Sequence, residues 1–132
     1  MNATDVEHFK KLERDISQKR GAFVLFALFA REDLPDRWDL VVAAPWVKSQ
    51  QEGAEYFVQE IQKKLGSPVL NILSRIVFVQ PTDPPVRAIN TAMHVEHGQA
   101  EIRDSNFFGV PIKHAFIITS QSLAPSAPTV AT

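Results

Sequence analysis

Residues 22–44, AFVLFALFAREDLPDRWDLVVAA, contain two apolar runs separated by a short polar segment. Both runs consist mainly of large apolar residues and are bounded by Gly21 and Pro45, which interrupt regular structure. The pattern predicts two buried strands, over residues 23–30 and 38–44. Because the first run does not alternate between apolar and polar residues, we expect other layers of structure to cover both faces of the sheet.

Apolar residues recur at helical spacing in three places outside this segment. We expect a first helix to begin at the capping box formed by Thr4 and Glu7, and a second to begin at Ser49. Asp83 is the predicted N-cap of a third, shorter helix whose first turn tolerates two prolines. Each helix has one apolar face, which predicts packing against the sheet.

Three further strands are predicted in the second half of the chain. Residues 75–79 are expected to form a buried strand, and residues 99–103 and 112–120 a C-terminal hairpin with a long connection over residues 104–111. The resulting order is α-β-β-α-β-α-β-β, in which strands joined by short turns must be antiparallel. We therefore expect a mixed α/β (α+β) fold with a mixed sheet of about five strands and helices packed on it.

Length and composition restrict the class of protein. A chain of 132 residues with 45% hydrophobic and 22% charged residues is typical of one globular domain. We expect that domain to span residues 1–120, followed by a disordered tail over the small, Pro-rich and uncharged residues 121–132. The absence of cysteine excludes disulfides, thiolate metal sites and cysteine nucleophiles.

Charge and hydropathy also exclude some partners. The chain has 14 Lys and Arg against 15 Asp and Glu, so the positive charge of a general nucleic-acid binder is missing. The first residues lack the apolar core of a signal peptide, and no apolar run approaches the ~20 residues that a membrane helix needs. We therefore expect a cytoplasmic protein without a membrane partner.

Residues 24–43, VLFALFAREDLPDRWDLVVA, resemble the signature of the minimal nucleotidyltransferase superfamily. In that family a strand ends in Leu-Phe-Gly-Ser, continues as Ala-Arg-Gly, and returns after a polar turn as Ser-Asp-x-Asp-Leu-Val-Val. Three segments match this signature, namely Leu25-Phe26, Ala30-Arg31 and Asp39-Leu40-Val41-Val42. The resemblance implies a nucleotidyltransferase-like fold, and the order of the flanking helices and strands extends it beyond the motif.

The resemblance also implies where the chemistry would lie. In the family, paired Asp side chains two positions apart hold the magnesium ions that bridge the nucleotide phosphates. Here Arg37 stands in place of the first Asp, Asp39 matches the second, and Arg75 lies near the position of a third carboxylate. We expect a degenerate member with Arg37, Asp39 and Arg75 as its remnant site, and without a metal or cofactor. In a purely structural interpretation, Asp39 pairs with Arg31 or Arg37.

Two other segments are candidate sites. His94, Glu96, His97 and Glu101 form the densest group of potential metal ligands, although their spacing matches no recognised zinc signature and a solvated connection is the simpler interpretation. The adjacent aromatics in Asn106-Phe107-Phe108-Gly109-Val110-Pro111 form a candidate binding loop. A Ser-His-Asp nucleophilic site is not predicted, because no Ser lies in a nucleophile-elbow pattern.

Three functions stay open at this point. The first is a non-catalytic binding or regulatory module on a nucleotidyltransferase-like scaffold, acting through protein contacts or by holding a nucleotide. The second is a metal-dependent enzyme that uses Asp39 and the cluster from His94 to Glu101. The third is a dimeric protein-interaction domain of another mixed α/β fold, which associates through a sheet edge or through Phe107 and Phe108. A protein partner or a second copy of the chain is expected.

Overall fold

The computed structural model describes residues 1–33 and 36–122. Within them the chain forms four helices and five strands, which confirms the predicted mixed α/β class, although three helices and not four were predicted. In chain order these are α1 (Ala3–Arg20), β1 (Leu25–Arg31), β2 (Trp38–Ala43), α2 (Gln50–Lys64), α3 (Ser67–Leu70), β3 (Leu73–Phe78), α4 (Pro84–Ala92), β4 (Ala100–Phe107) and β5 (Val110–Ser120).

The five strands form one mixed sheet in the order β3-β2-β1-β5-β4. The pair formed by β2 and β3 is parallel, because the connection through α2 returns the chain to the same end of the sheet. The other neighbouring pairs are antiparallel. The two strands predicted from residues 22–44 lie at the centre and are buried on both faces, which confirms that neither face is open to solvent there.

Each face of the sheet has its own apolar core. On one face, which we call the helical face, Phe26 and Leu40 pack with apolar side chains of α1 and α2. On the opposite face, which we call the α4 face, Ala27 and Val41 pack with Val86 and Ile89 of the nine-residue helix α4. Because α4 is short, it shares the cover of this face with the end of the β4-β5 hairpin.

Of the three predicted helix starts, only that of α2 is capped by the predicted side chain. The side chain of Ser49 accepts a hydrogen bond from the backbone N–H of Glu52 at 3.2 Å, which confirms the predicted start of α2. The predicted start of α1 at Thr4 is wrong, because Asn2 is the N-cap and exchanges hydrogen bonds with Asp5 in a capping box. Asp83 precedes α4 as predicted, but its side chain accepts from the N–H of Gln80 instead of a helical N–H.

Two predictions for the second half of the chain need correction. The third strand is an edge strand with mostly half-buried side chains, whereas the sequence pattern predicted full burial. The predicted long connection over residues 104–111 is also wrong. There β4 and β5 continue until Phe107 pairs with Val110, so the turn consists of Phe108 and Gly109 alone. Both turn residues have positive φ, at 56° and 74°, as a tight hairpin of matching twist requires.

We expect replacement of Gly109 by alanine to lower the free energy of unfolding by about 1–2 kcal/mol, because an L side chain is strained in the left-handed region. No atom lies within 4 Å of the position of an added Cβ, so the cost would be conformational and not steric. Urea unfolding measures this loss. Gly109→Asn should lose less, because Asn tolerates positive φ; equal stability of the natural chain and both variants would contradict the turn geometry.

Gln121, the residue after β5, is hydrogen-bonded to the segment before β1. Gln121 donates a backbone hydrogen bond to Val24 and a side-chain hydrogen bond to Phe23. Residues 123–132, most of the predicted disordered tail, lie outside the described residues. Among the described residues, no helix is both long enough and apolar enough to cross a membrane.

Candidate functional site

The ends of three neighbouring strands bring Arg31, Asp39 and Arg75 together on the α4 face. Asp39, the second residue of β2, lies opposite Phe29 of β1 and opposite Arg75 of β3. Side chains alternate between the faces of a strand, so Arg31 shares a face with Phe29 and reaches toward Asp39. The parallel pairing of β2 and β3 therefore places Arg75 beside Asp39.

Asp39 forms ion pairs with both arginines through the same oxygen. Its Oδ2 atom lies 3.1 Å from Nε of Arg31 and 3.2 Å from Nε of Arg75. The side chain of Asp39 is 5% exposed, that of Arg31 21% and that of Arg75 53%. Arg31 is thus the more buried partner, while Arg75 extends toward solvent. Nη1 of Arg31 also lies 3.5 Å from Oδ2 of Asp33, whose side chain is 72% exposed. The buried part of the cluster therefore contains one carboxylate, that of Asp39, and the two guanidinium groups that contact it.

Arg37, the remaining member of the predicted remnant site, lies apart from this cluster. It precedes β2, and its Nη2 atom donates a hydrogen bond of 2.7 Å to the carbonyl oxygen of Leu73. Of the two arginines considered as partners for Asp39 in the structural interpretation, Arg31 is the one that makes the contact.

An apolar cleft of about 120 Å³, which we call the Asp39 cleft, opens beside the three charged side chains. The ring of Phe107 stacks on that of Phe29, with centroids 4.8 Å apart and planes inclined by 9°. Phe108 approaches the same ring, with centroids 6.2 Å apart. The two sites that the sequence suggested separately, around Asp39 and around Phe107 and Phe108, therefore form one site. The other apolar residues of its lining are Val41, Val77, Val79, Val110 and Ile112.

The second oxygen of Asp39 is unsatisfied. Its Oδ1 atom is buried and has no hydrogen-bond partner among the described residues. A buried acceptor in this state costs about 1–3 kcal/mol relative to one that is hydrogen-bonded. Any donor that reaches Oδ1, from water or from a ligand, would remove this cost.

No family model, curated protein or solved structure matches the chain. The chemistry of the Asp39 cleft must therefore be inferred from its own side chains.

The predicted metal ligands separate in the fold. Nε2 of His94 lies 3.6 Å from Glu96, and both side chains are more than half exposed. His97 turns away from them to contact Glu13, while Glu101 contacts His114 and Arg103. Within residues 1–33 and 36–122, no three His, Asp or Glu side chains come close enough together to hold a metal ion.

The structure does not favour the two surfaces that the sequence suggested for a dimer contact, namely a sheet edge and the pair Phe107 and Phe108. The outer strand β4 is eight residues long and exposes Glu101, Arg103 and Asp104. Charged side chains on an edge strand oppose pairing with another strand. Phe107 and Phe108 are half-buried against Phe29, so neither forms the exposed aromatic patch that the sequence allowed.

A second group of polar side chains escaped sequence prediction. Glu13 of α1 is completely buried and lies 2.6 Å from Nδ1 of His97 and 2.9 Å from the hydroxyl of Thr119. These residues are far apart in sequence, so no local motif joins them. The sequence held one indication of this site. Glu13 lies four positions after the buried Phe9, so a charged residue falls on the apolar face of the helix.

Proposed function

We propose that this chain is a non-catalytic binding module on a nucleotidyltransferase-like scaffold, and that the Asp39 cleft holds its ligand. The observation that carries the proposal is the double ion pair of Asp39 with Arg31 and Arg75 beside an aromatic wall. The antiparallel pair β1 and β2, followed by a helix and the parallel strand β3, agrees with what the resemblance implies and supports the scaffold assignment.

The donor set of the cluster does not fit a magnesium ion. Magnesium sites use carboxylate and other oxygen ligands, and the carboxylate that lines the cleft, that of Asp39, already forms ion pairs with two guanidinium groups. Each guanidinium would raise the free energy of a divalent ion ~4–5 Å away by several kcal/mol at an effective dielectric constant of about 20. The residues of the cleft therefore favour binding without metal-dependent transfer chemistry.

The lining of the cleft defines the class of ligand. Its aromatic and aliphatic walls accept an apolar or aromatic ring, and the half-exposed guanidinium of Arg75 offers N–H groups to a phosphate or carboxylate. A donor on the ring could satisfy Oδ1 of Asp39. A nucleotide combines these groups. Ligand pockets usually exceed roughly 300 Å³, so a cleft of about 120 Å³ would enclose a ring and leave the anionic group at the rim.

We expect nucleoside triphosphates or phenyl phosphate, a ring with a phosphate alone, to raise the midpoint of thermal unfolding with or without magnesium. A ligand at about a hundred times its dissociation constant adds roughly 2.7 kcal/mol, which corresponds to several degrees for a domain of this size. The measurement compares the natural chain with Arg75→Met, in which the shift should shrink or vanish because the anion loses its partner.

Arg37→Met is the matched control, because it removes the same charge from an exposed residue that does not line the cleft. It should keep the shift. A shift that requires magnesium and disappears in Asp39→Asn would show that the site is a metal-dependent one, contrary to the proposal. The absence of any shift with these ligands would remove nucleotides and aromatic phosphates as ligands of the cleft.

A further inference from the structure

Glu13, His97 and Thr119 form a hydrogen-bonded set that shares no residue with the Asp39 cleft. Glu13 comes from α1, Thr119 from β5, and His97 from the connection between α4 and β4. Both carboxylate oxygens of Glu13 are used: Oε1 lies 2.6 Å from Nδ1 of His97, and Oε2 accepts from the hydroxyl of Thr119 at 2.9 Å. The carboxylate is therefore fixed on both sides.

This arrangement orients the imidazole ring and selects its tautomer. We assign the proton of the 2.6 Å contact to Nδ1 of His97, because an ionised carboxylate can only accept hydrogen bonds. In the neutral ring the lone pair then lies on Nε2. The side chain of His97 is 33% exposed although Glu13 is fully buried, and His97 lines a surface groove.

The backbone of His97 is constrained as well. Its φ angle is 49°, in the left-handed region that non-glycine residues seldom occupy. Its N–H donates to the hydroxyl of Thr119 at 3.2 Å, so the same residue that fixes Glu13 also holds the backbone of His97. A buried carboxylate and a strained backbone both cost free energy, and here both serve to hold one imidazole ring in place.

The groove that His97 lines has a volume of about 520 Å³, and we call it the His97 groove. The groove is rich in cationic groups: Lys10, Lys11 and Arg14 of α1 line it together with His8. Lys10 contacts Glu7 at 3.0 Å, and Asp15 contacts Lys64 at 3.5 Å, so the two acidic residues of the lining are already paired. Lys11 and Arg14 are exposed. This charge pattern favours an anion with several oxygen atoms.

We propose that His97 is a phosphoryl acceptor for small donors such as acyl phosphates. The Nε2 lone pair attacks phosphorus and forms an N–P bond, while the P–O bond to the acyl group breaks and its electron pair leaves with the carboxylate product. No proton moves: Nδ1 keeps its hydrogen, and Glu13 balances the positive charge of the N-phosphorylated ring. Lys11 and Arg14 bind the phosphoryl oxygens. Glu13 and Thr119 are positioning residues that act through His97.

The experiment incubates the full chain with acetyl phosphate and follows its intact mass. We expect the mass of one phosphoryl group to be added, in a form that acid removes and alkali preserves, as for phosphohistidine and unlike phosphoserine. His97→Ala should lose the label completely. Lys11→Met and Arg14→Met change exposed residues, so they should fold normally and slow labelling about tenfold or more through loss of charge-assisted hydrogen bonds.

His114→Ala is the matched control, because His114 also lies 2.6 Å from a carboxylate, that of Glu101, but outside the groove. It should label like the natural chain. Glu13→Leu should slow labelling, and ¹⁵N spectra of the His97 ring should show loss of the fixed Nδ1–H tautomer, because leucine offers no acceptor to Nδ1; a purely structural role would not predict this change in tautomer. Absence of label in the natural chain, or label that persists in His97→Ala, would overturn the proposal.

Discussion

Replacement of Phe29 by alanine is expected to lower the free energy of unfolding by about 3–5 kcal/mol, the usual range for a buried aromatic. Phe29 is 2% exposed, and its ring supports both Phe107 and Phe108. Its removal would leave the hairpin turn without its stacking partner and join the lost volume to the Asp39 cleft. Urea unfolding of the two chains measures the loss, and thermal unfolding should show a midpoint lower by roughly ten degrees or more.

Phe57→Ala separates the two consequences of that change. Phe57 is fully buried in the core of the helical face, so its removal should cost a similar free energy without altering the cleft. A small aromatic such as indole should stabilise Phe29→Ala by filling the enlarged cleft, as apolar ligands fill engineered cavities. A loss below about 1 kcal/mol for Phe29→Ala would mean that the hairpin turn does not depend on this ring.

The second large effect is an asymmetry between the two arginines that contact Asp39. Arg31→Met should lower the free energy of unfolding by about 2–4 kcal/mol, because it leaves a buried carboxylate with only a half-exposed partner. Arg75→Met should cost less than about 1 kcal/mol, in the range of exposed ion pairs. Denaturant unfolding of the two variants in one buffer compares these values directly.

A double-mutant cycle tests the cause of the asymmetry. Asp39→Asn in the Arg31→Met background removes the poorly paired charge, so part of the lost stability should return. Two results would contradict a buried ion pair. One is an equal loss in the free energy of unfolding for Arg31→Met and Arg75→Met. The other is a double variant whose loss is the sum of the losses from Asp39→Asn and Arg31→Met.

Most of the helices and strands could be predicted, because nearby residues determine where such elements form and end. The non-alternating runs in residues 22–44 correspond to strands buried on both faces, and Ser49 caps α2 as its hydroxyl predicts. The hairpin was harder to predict. The polar residues of β4 are typical of a loop, and a turn of Phe108 and Gly109 lacks the Asn-Gly or Asp-Gly sequence that usually indicates positive φ.

Only part of the candidate site could be predicted, because its residues come from segments that are far apart in the chain. Asp39 and Arg75 were both predicted as site residues, and the parallel register of β2 and β3 puts them opposite each other, whereas Arg37 lies apart. Contacts between distant segments have no local signal. Neither the aromatic wall from the hairpin turn nor the contact of Glu13 with His97 can be derived from the spacing of residues along the chain.

The position of β5 affects how the molecule comes together. It is the last described strand in the chain, yet it lies between β1 and β4 and pairs with all of β1, from Leu25 to Arg31. During synthesis, β1 can pair with β2 early, but its second neighbour, β5, is missing until nearly all of the described chain has left the ribosome. In that interval an apolar strand has one unpaired edge, the kind of surface to which chaperones and other nascent chains bind, and closure of such a long loop slows folding.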